Sequence, residues 1–158
     1  MVNFYFNNDP SQLPDYSETC HPVQLFNTHP HDSSKHSRAS GSLLKRVREL
    51  GISVDADAID LITIASAVTA AETFERRGDA ADAWSRVMHL HIPVTDDNLW
   101  NMLSDRLSSI LNFLTGDQWK FTFSKTLLQV PKPIVSNKSK AKLNSLKGLN
   151  SVCLFSGG

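Results

Sequence analysis

The chain has 158 residues, 41% hydrophobic and 20% charged, enough apolar material for one compact domain and too ordinary a mixture for a disordered tail. No apolar run reaches the roughly 18 residues of a membrane-spanning helix, and Met1 to Asp9 lack the basic and apolar segments of a signal peptide. Two cysteines, Cys20 and Cys153, are too few for a disulfide framework, so a cytoplasmic protein with no membrane partner is expected.

Val2 to Phe6 contain Phe4, Tyr5 and Phe6 and predict a short first strand that Asn7, Asn8, Asp9 and Pro10 break. From there to residue 40 the chain carries Pro10, Pro14, Pro22 and Pro30 and no sustained period. Residues 1–40 are therefore expected to be irregular apart from that strand. Ser42 opens a short basic helix through Leu50, with Leu43, Leu44, Val47 and Leu50 on one face, and Gly51 ends it. Asp55 to Arg77 predict a longer helix: Asp55, Asp57 and Asp60 suit the positive end of the dipole, Arg76 and Arg77 the negative end, and Gly78 the C′ place. Its expected inner stripe runs through Ala58, Leu61, Ile62, Ala65, Val68, Ala71 and Phe74.

The period then becomes two from Trp84 to Ile92, which predicts a half-buried strand stopped by Pro93. Thr95 is the expected cap of the next helix, whose stripe is Leu99, Leu103, Leu107, Ile110, Leu111 and Leu114 and whose end is Gly116. Gln118 to Lys125 alternate strictly, Trp119, Phe121 and Phe123 against Lys120, Thr122 and Ser124. The resulting β-α-α-β-α-β order over residues 41–126 and the strand before it predicts an α+β layer domain, one sheet face packed and the other more polar.

All sixteen acidic residues lie at or before Asp117, and seven lysines without an acid follow it, so a net charge of −7 gives way to +7. Residues 127–150 are expected to form a lysine-rich linker. It is either a plain solvated connector or a segment attracted to phosphates, nucleic acid included. At Ser151 a new, continuously apolar strand is expected, Val152-Cys153-Leu154-Phe155, running into Ser156, Gly157 and Gly158. Small residues after a buried strand let backbone N–H groups turn toward an anion.

Other groupings carry less. His89 and His91 share a strand face, but zinc needs a third and usually a fourth ligand, so hydrogen-bonded histidines on a polar face are the expectation. Cys20, His21, His29, His31 and His36 fit no closed metal site. Asp96, Asp97 and Asp117 stand at helix ends and are expected to cap rather than to catalyse. Trp84, Trp100 and Trp119 are expected in the core.

The string Val152-Cys153-Leu154-Phe155-Ser156-Gly157-Gly158 resembles the opening of the PP-loop of ATP pyrophosphatases, in which strand and SGG are followed by a variable residue, Asp, and Ser or Thr. Met88-His89-Leu90-His91-Ile92-Pro93-Val94 and Leu111-Asn112-Phe113-Leu114-Thr115-Gly116-Asp117-Gln118-Trp119 are similar to the extra N-terminal region of QueC-like enzymes, relatives of 7-cyano-7-deazaguanine synthase. The likeness is to the Qat antiphage-defence type and covers residues 59–158. It implies an accessory N-terminal region, then the first strand of a Rossmann-like PP-loop ATPase domain over 151–158, in a protein of deazapurine (queuosine) synthesis or a defence-linked modification. It also implies ATP as cofactor, with Ser156, Gly157 and Gly158 as nucleotide-binding residues, zinc held by cysteines further downstream, and defence-system proteins as partners. The family's Asp and Ser/Thr would lie beyond Gly158, so the resemblance implies a truncated motif and a chain that is not catalytic alone. The alternatives are a non-catalytic interaction module and a lysine-mediated nucleic-acid binder.

Overall fold

The computed structural model of the chain describes residues 1–145 apart from 27, 31, 52, 81, 127 and 129. Five strands, β1 (Val2–Asn7), β2 (Cys20–Leu25), β3 (Ser37–Ala39), β4 (Val87–Val94) and β5 (Gln118–Lys125), form one sheet in the order β3-β2-β1-β4-β5. Every neighbouring pair is parallel. Among the described residues four α-helices accompany the sheet: α1 (Leu43–Glu49), α2 (Ala56–Phe74), α3 (Asp97–Thr115) and α4 (Asn137–Ser145). The fold is mixed α/β, and the wholly parallel sheet corrects the α+β expectation.

The register explains where the core lies. Phe4 pairs with Leu90, Leu90 with Phe121, Met88 with Trp119, Ile92 with Phe123 and Phe6 with Val23, so one side of the pleat carries a continuous apolar surface. Ile59, Ile64, Ala67 and Ala71 of α2 are buried in the same cluster, and Trp100, Leu107 and Leu111 of α3 pack on its edge. The alanines let α2 approach the strands closely.

Asn3, Tyr5, His89, His91, Lys120 and Thr122 occupy the opposite parity, and no helix among the described residues covers them. The connections explain this. Right-handed crossovers that run in opposite directions along a parallel sheet lie on opposite faces. The β3-to-β4 and β4-to-β5 connections contain α2 and α3, whereas among the described residues the β1-to-β2 and β2-to-β3 connections hold only a 3-10 turn at Pro10–Gln12.

Several boundaries differ from expectation for identifiable reasons. β2 and β3 fall in the stretch expected to be irregular. β3 pairs with β2 only from Val23 to Leu25, so Pro22 stands where the outer edge is unpaired and its missing N–H costs nothing. Pro93 likewise lies inside β4 rather than ending it, because β1 pairs with β4 no further than His91. β4 begins at Val87, and Trp84 is 68% exposed, its ring 5.8 Å from the Arg77 guanidinium carbon, rather than in the core.

α2 stops at Phe74 with Glu75 as cap, and Gly78 sits in a 3-10 turn, Arg77–Asp79. Its inward face is Ile59, Asp60, Thr63, Ile64, Ala67 and Ala71, while Leu61 and Phe74 of the expected stripe are exposed. In α3, Ile110 and Leu114 are exposed as well, and Trp100 joins Leu107 and Leu111 in the packing. The lysine-rich stretch also has structure: Leu128 and Val130 pack on the core, the Ile134 N–H donates to the Arg48 carbonyl at 2.8 Å, and α4 follows. Gly51, at φ +75°, lies where an added Cβ would come within 2.6 Å of Ser139, so this docking needs glycine there.

Candidate functional site

Ser156, Gly157 and Gly158, with Val152–Phe155 before them, lie outside the described residues. The described residues offer two other places of interest, and both follow from the sheet topology.

The first lies where the strand order reverses, since β1 is flanked by β2, which follows it in the chain, and by β4, which returns across the sheet. Open parallel sheets bind ligands beyond the carboxyl ends of their strands at such a reversal. Here a cleft of about 430 Å³ is lined by Asn7, Asn8, Asp9, Gln12, His29, Lys125 and Thr126. Its walls are tied together: Thr28 Oγ1 donates to the Asn8 carbonyl at 3.1 Å, His29 Nδ1 lies 3.1 Å from the same oxygen, and the Thr126 N–H donates to the Val94 carbonyl at 2.8 Å. Asp9 accepts from the Ser11 N–H at 3.0 Å and the Ser11 hydroxyl at 2.8 Å, and these bonds hold its carboxyl below the ordinary range. The cleft thus presents amides, one ionised carboxylate, one imidazole and one ammonium. That inventory orients a small polar ligand by hydrogen bonds.

The second place is the open sheet face. Tyr5 and His91 face each other across β1 and β4 with ring centroids 4.2 Å apart and planes 1° from parallel, and His89 follows 4.2 Å beyond His91. His89 Nε2 lies 2.8 Å from Thr122 Oγ1, whereas His91 Nε2 is buried without a hydrogen-bond partner. Burial lowers the pKa of both imidazoles, aided by Lys120 for His89 and by His89 for His91. Both rings are therefore disposed to stay neutral. Among the described residues no group of three or more His, Cys, Asp or Glu is placed to hold a metal ion, so neither this pair nor Cys20, His21, His29 and His36 forms part of one. His31 lies outside the described residues. Burial, with Asp15 nearby, raises the Cys20 thiol, which disfavours the reactive thiolate.

The carboxylates near the strand ends are committed to structure. Asp60 is 1% exposed and accepts from the Thr95 N–H at 2.7 Å, the Thr95 hydroxyl at 2.8 Å, the Asp96 N–H at 3.2 Å and the Trp100 indole N–H at 3.0 Å. It is not part of the helix-end charge, and Thr95, engaged with it, leaves the capping of α3 to Asp96, which accepts from the Leu99 N–H at 3.0 Å. Asp97 sits in the first turn, as expected of a carboxylate there.

Asp117 is buried rather than a surface cap. Burial alone would raise its pKa, but hydrogen bonds and charge from Arg86, with Arg77 beside them, outweigh this and hold the carboxyl below its ordinary range. Arg86 also donates to the Glu72 and Glu75 carbonyls at the end of α2, the role expected of Arg76 and Arg77. For Asp117 the available signal is its place directly before β5, where a parallel sheet needs its turn fastened; Asp60, inside α2, carries no such mark in the sequence. No family model matches the chain, and no curated protein or solved structure matches it either.

Proposed function

We propose that this chain is the accessory N-terminal part of a QueC-like ATP-dependent enzyme, its α/β domain a recognition unit placed ahead of a Rossmann-like PP-loop ATPase domain. The observation that carries the reading is the string Val152-Cys153-Leu154-Phe155-Ser156-Gly157-Gly158. In this reading Ser156, Gly157 and Gly158 meet the pyrophosphate part of ATP through backbone N–H groups, and zinc belongs to cysteines further downstream. Two features of the domain support it. Its five strands are in place by Lys125, twenty-six residues before Ser151, and its buried acids, Asp60 and Asp117, are saturated with hydrogen bonds rather than poised for proton transfer. A reaction that cleaves ATP then falls to the phosphate-loop part, in deazapurine synthesis or a defence-linked modification, and the domain supplies binding.

The test is to read the coding sequence past codon 158 and assay the chain it specifies. Continuation through a variable residue, Asp, and Ser or Thr, with release of AMP and pyrophosphate from ATP, is the expected result. A stop codon after Gly158, or a continuation without that Asp and hydroxyl residue, overturns the assignment.

A second reading, a non-catalytic interaction module, is favoured by one observation, the open polar face around Tyr5, His91 and His89. Parallel sheets are ordinarily covered on both faces, and a protein partner seated there would supply the cover that no helix among the described residues gives.

A further inference from the structure

α3 is amphipathic, but much of its apolar surface faces away from the sheet. Trp100, Leu107 and Leu111 pack on the edge of the core. Asn101, Asn112 and Thr115 turn toward β5 and hold its backbone and the Trp119 indole by hydrogen bonds. At about 100° per residue the opposite side of the helix carries Leu99, Met102, Leu103, Ile110, Phe113 and Leu114. Met102 is 74% exposed, Ile110 50%, Phe113 89% and Leu114 68%. These four side chains together expose roughly 600 Å², the size at which an apolar patch marks an interaction site. That is most of the about 800 Å² each partner contributes to a stable interface.

The stripe is also complementary to itself. Arg106 stands at its middle, with Met102 and Ile110 four residues to either side and Leu99 and Phe113 seven, so the spacing reads nearly the same from both ends. Turned about a two-fold axis through Arg106, a second α3 running antiparallel lays the partner's Phe113 on Leu99 and the partner's Ile110 on Met102. Asp105 borders Arg106 on one flank, and antiparallel pairing brings that flank against its own copy. Arg106 then meets the partner's Asp105, twice by symmetry. Among the described residues neither Asp105 nor Arg106 makes an ion pair within the chain, so both charges are available. A membrane surface fits less well: helices that lie on anionic lipid are rich in Lys and Arg, whereas α3 has Arg106 alone against Asp97 and Asp105.

We propose that this face of α3 binds a second copy of the chain, closing a two-fold dimer through an antiparallel α3 pair. The contact leaves the bonds of Asn101 and Asn112 to β5 intact, and because each copy uses the same patch it stops at two. It lies on the helix-covered side of the sheet, apart from the open face of Tyr5 and His91, and does not depend on the PP-loop reading.

Sedimentation equilibrium of the 158-residue chain tests this. A species of twice the 17.5 kDa chain mass is expected at micromolar concentration. Phe113→Asp is expected to weaken the pairing at least ten-fold, and Tyr16→Asp, at an exposed position before β2, to leave it unchanged. Circular dichroism verifies the fold of each. Arg106→Asp is expected to weaken the dimer about ten-fold by setting carboxylate against carboxylate. The exchange of Asp105→Arg together with Arg106→Asp restores it, because both pairs across the axis are rebuilt with their signs reversed. A chain that stays at 17.5 kDa up to millimolar concentration, including one that floats with phosphatidylserine vesicles instead, overturns the assignment. So does a dimer that Phe113→Asp leaves intact, or one that the charge exchange fails to restore.

Discussion

Asp60 shows how one side chain joins three elements. It belongs to α2, yet its carboxylate collects two N–H groups and a hydroxyl from the turn after β4 and the indole N–H from the first turn of α3. Removing the charge while keeping the shape leaves donors facing an amide that can satisfy only part of them. Asp60→Asn is therefore expected to lower stability by about 2 kcal/mol, the usual cost of stranding buried polar groups, read as a drop in the urea midpoint at unchanged slope. A midpoint equal to wild type would show that water replaces the carboxylate. Periodicity cannot identify such a residue: apolar side chains surround α2 so completely that Leu61 and Phe74 look as suited to the core as Ile59 and Ile64 do. The face is chosen instead by what Asp60 must reach.

At the scale of the element, α3 does more than cover the sheet. β5 is an edge strand, and in a parallel pair the backbone groups of alternate residues point away from the neighbour. Asn112 Oδ1 accepts from the Trp119 N–H at 2.8 Å, while Asn101 receives the Phe123 N–H at 3.1 Å and donates to the Phe123 carbonyl at 2.9 Å. Two asparagines of one helix thus occupy hydrogen-bonding positions that another strand would otherwise take, a way of guarding an edge. Asn101→Ala is expected to cost about 1–2 kcal/mol. The double variant with Asn112→Ala should self-associate as concentration rises, which light scattering measures; a monodisperse double variant would contradict the guarding role.

β5 itself is legible in the sequence because Trp119, Phe121 and Phe123 alternate with polar residues. β1, α3 and the interior of β4 are legible on similar grounds. β2 and β3 are not, since a three-residue strand and one containing proline carry too little pattern, and their parallel pairing is a property of partners far away in the chain. The reversal cleft escapes the sequence for the same reason: it gathers residues from segments roughly a hundred positions apart.

At the scale of the whole molecule, the described residues seal one sheet face with helices and leave the other polar, and the response to acid should reflect both. His89 and His91 on the open face have folded-state pKa values lowered from the ordinary 6.5, chiefly by burial. Protonation therefore favours the unfolded chain, so their contribution is fully present above the unfolded value and is lost as pH falls through the lowered folded values. Asp117 is also depressed, from an ordinary 3.8, with burial opposed and outweighed by Arg86. The same sign applies, and its contribution disappears only in the carboxylate range. Two separate losses of stability are thus expected on acidification, the first beginning near pH 6.5 and the second below about 4. Urea midpoints measured from pH 8 to pH 3 check this, and His89→Gln with His91→Gln should remove the first loss and leave the second. A wild-type midpoint that stays level between pH 7 and pH 5 would mean that the imidazoles of the open face bind protons as readily in the folded chain as in the unfolded one.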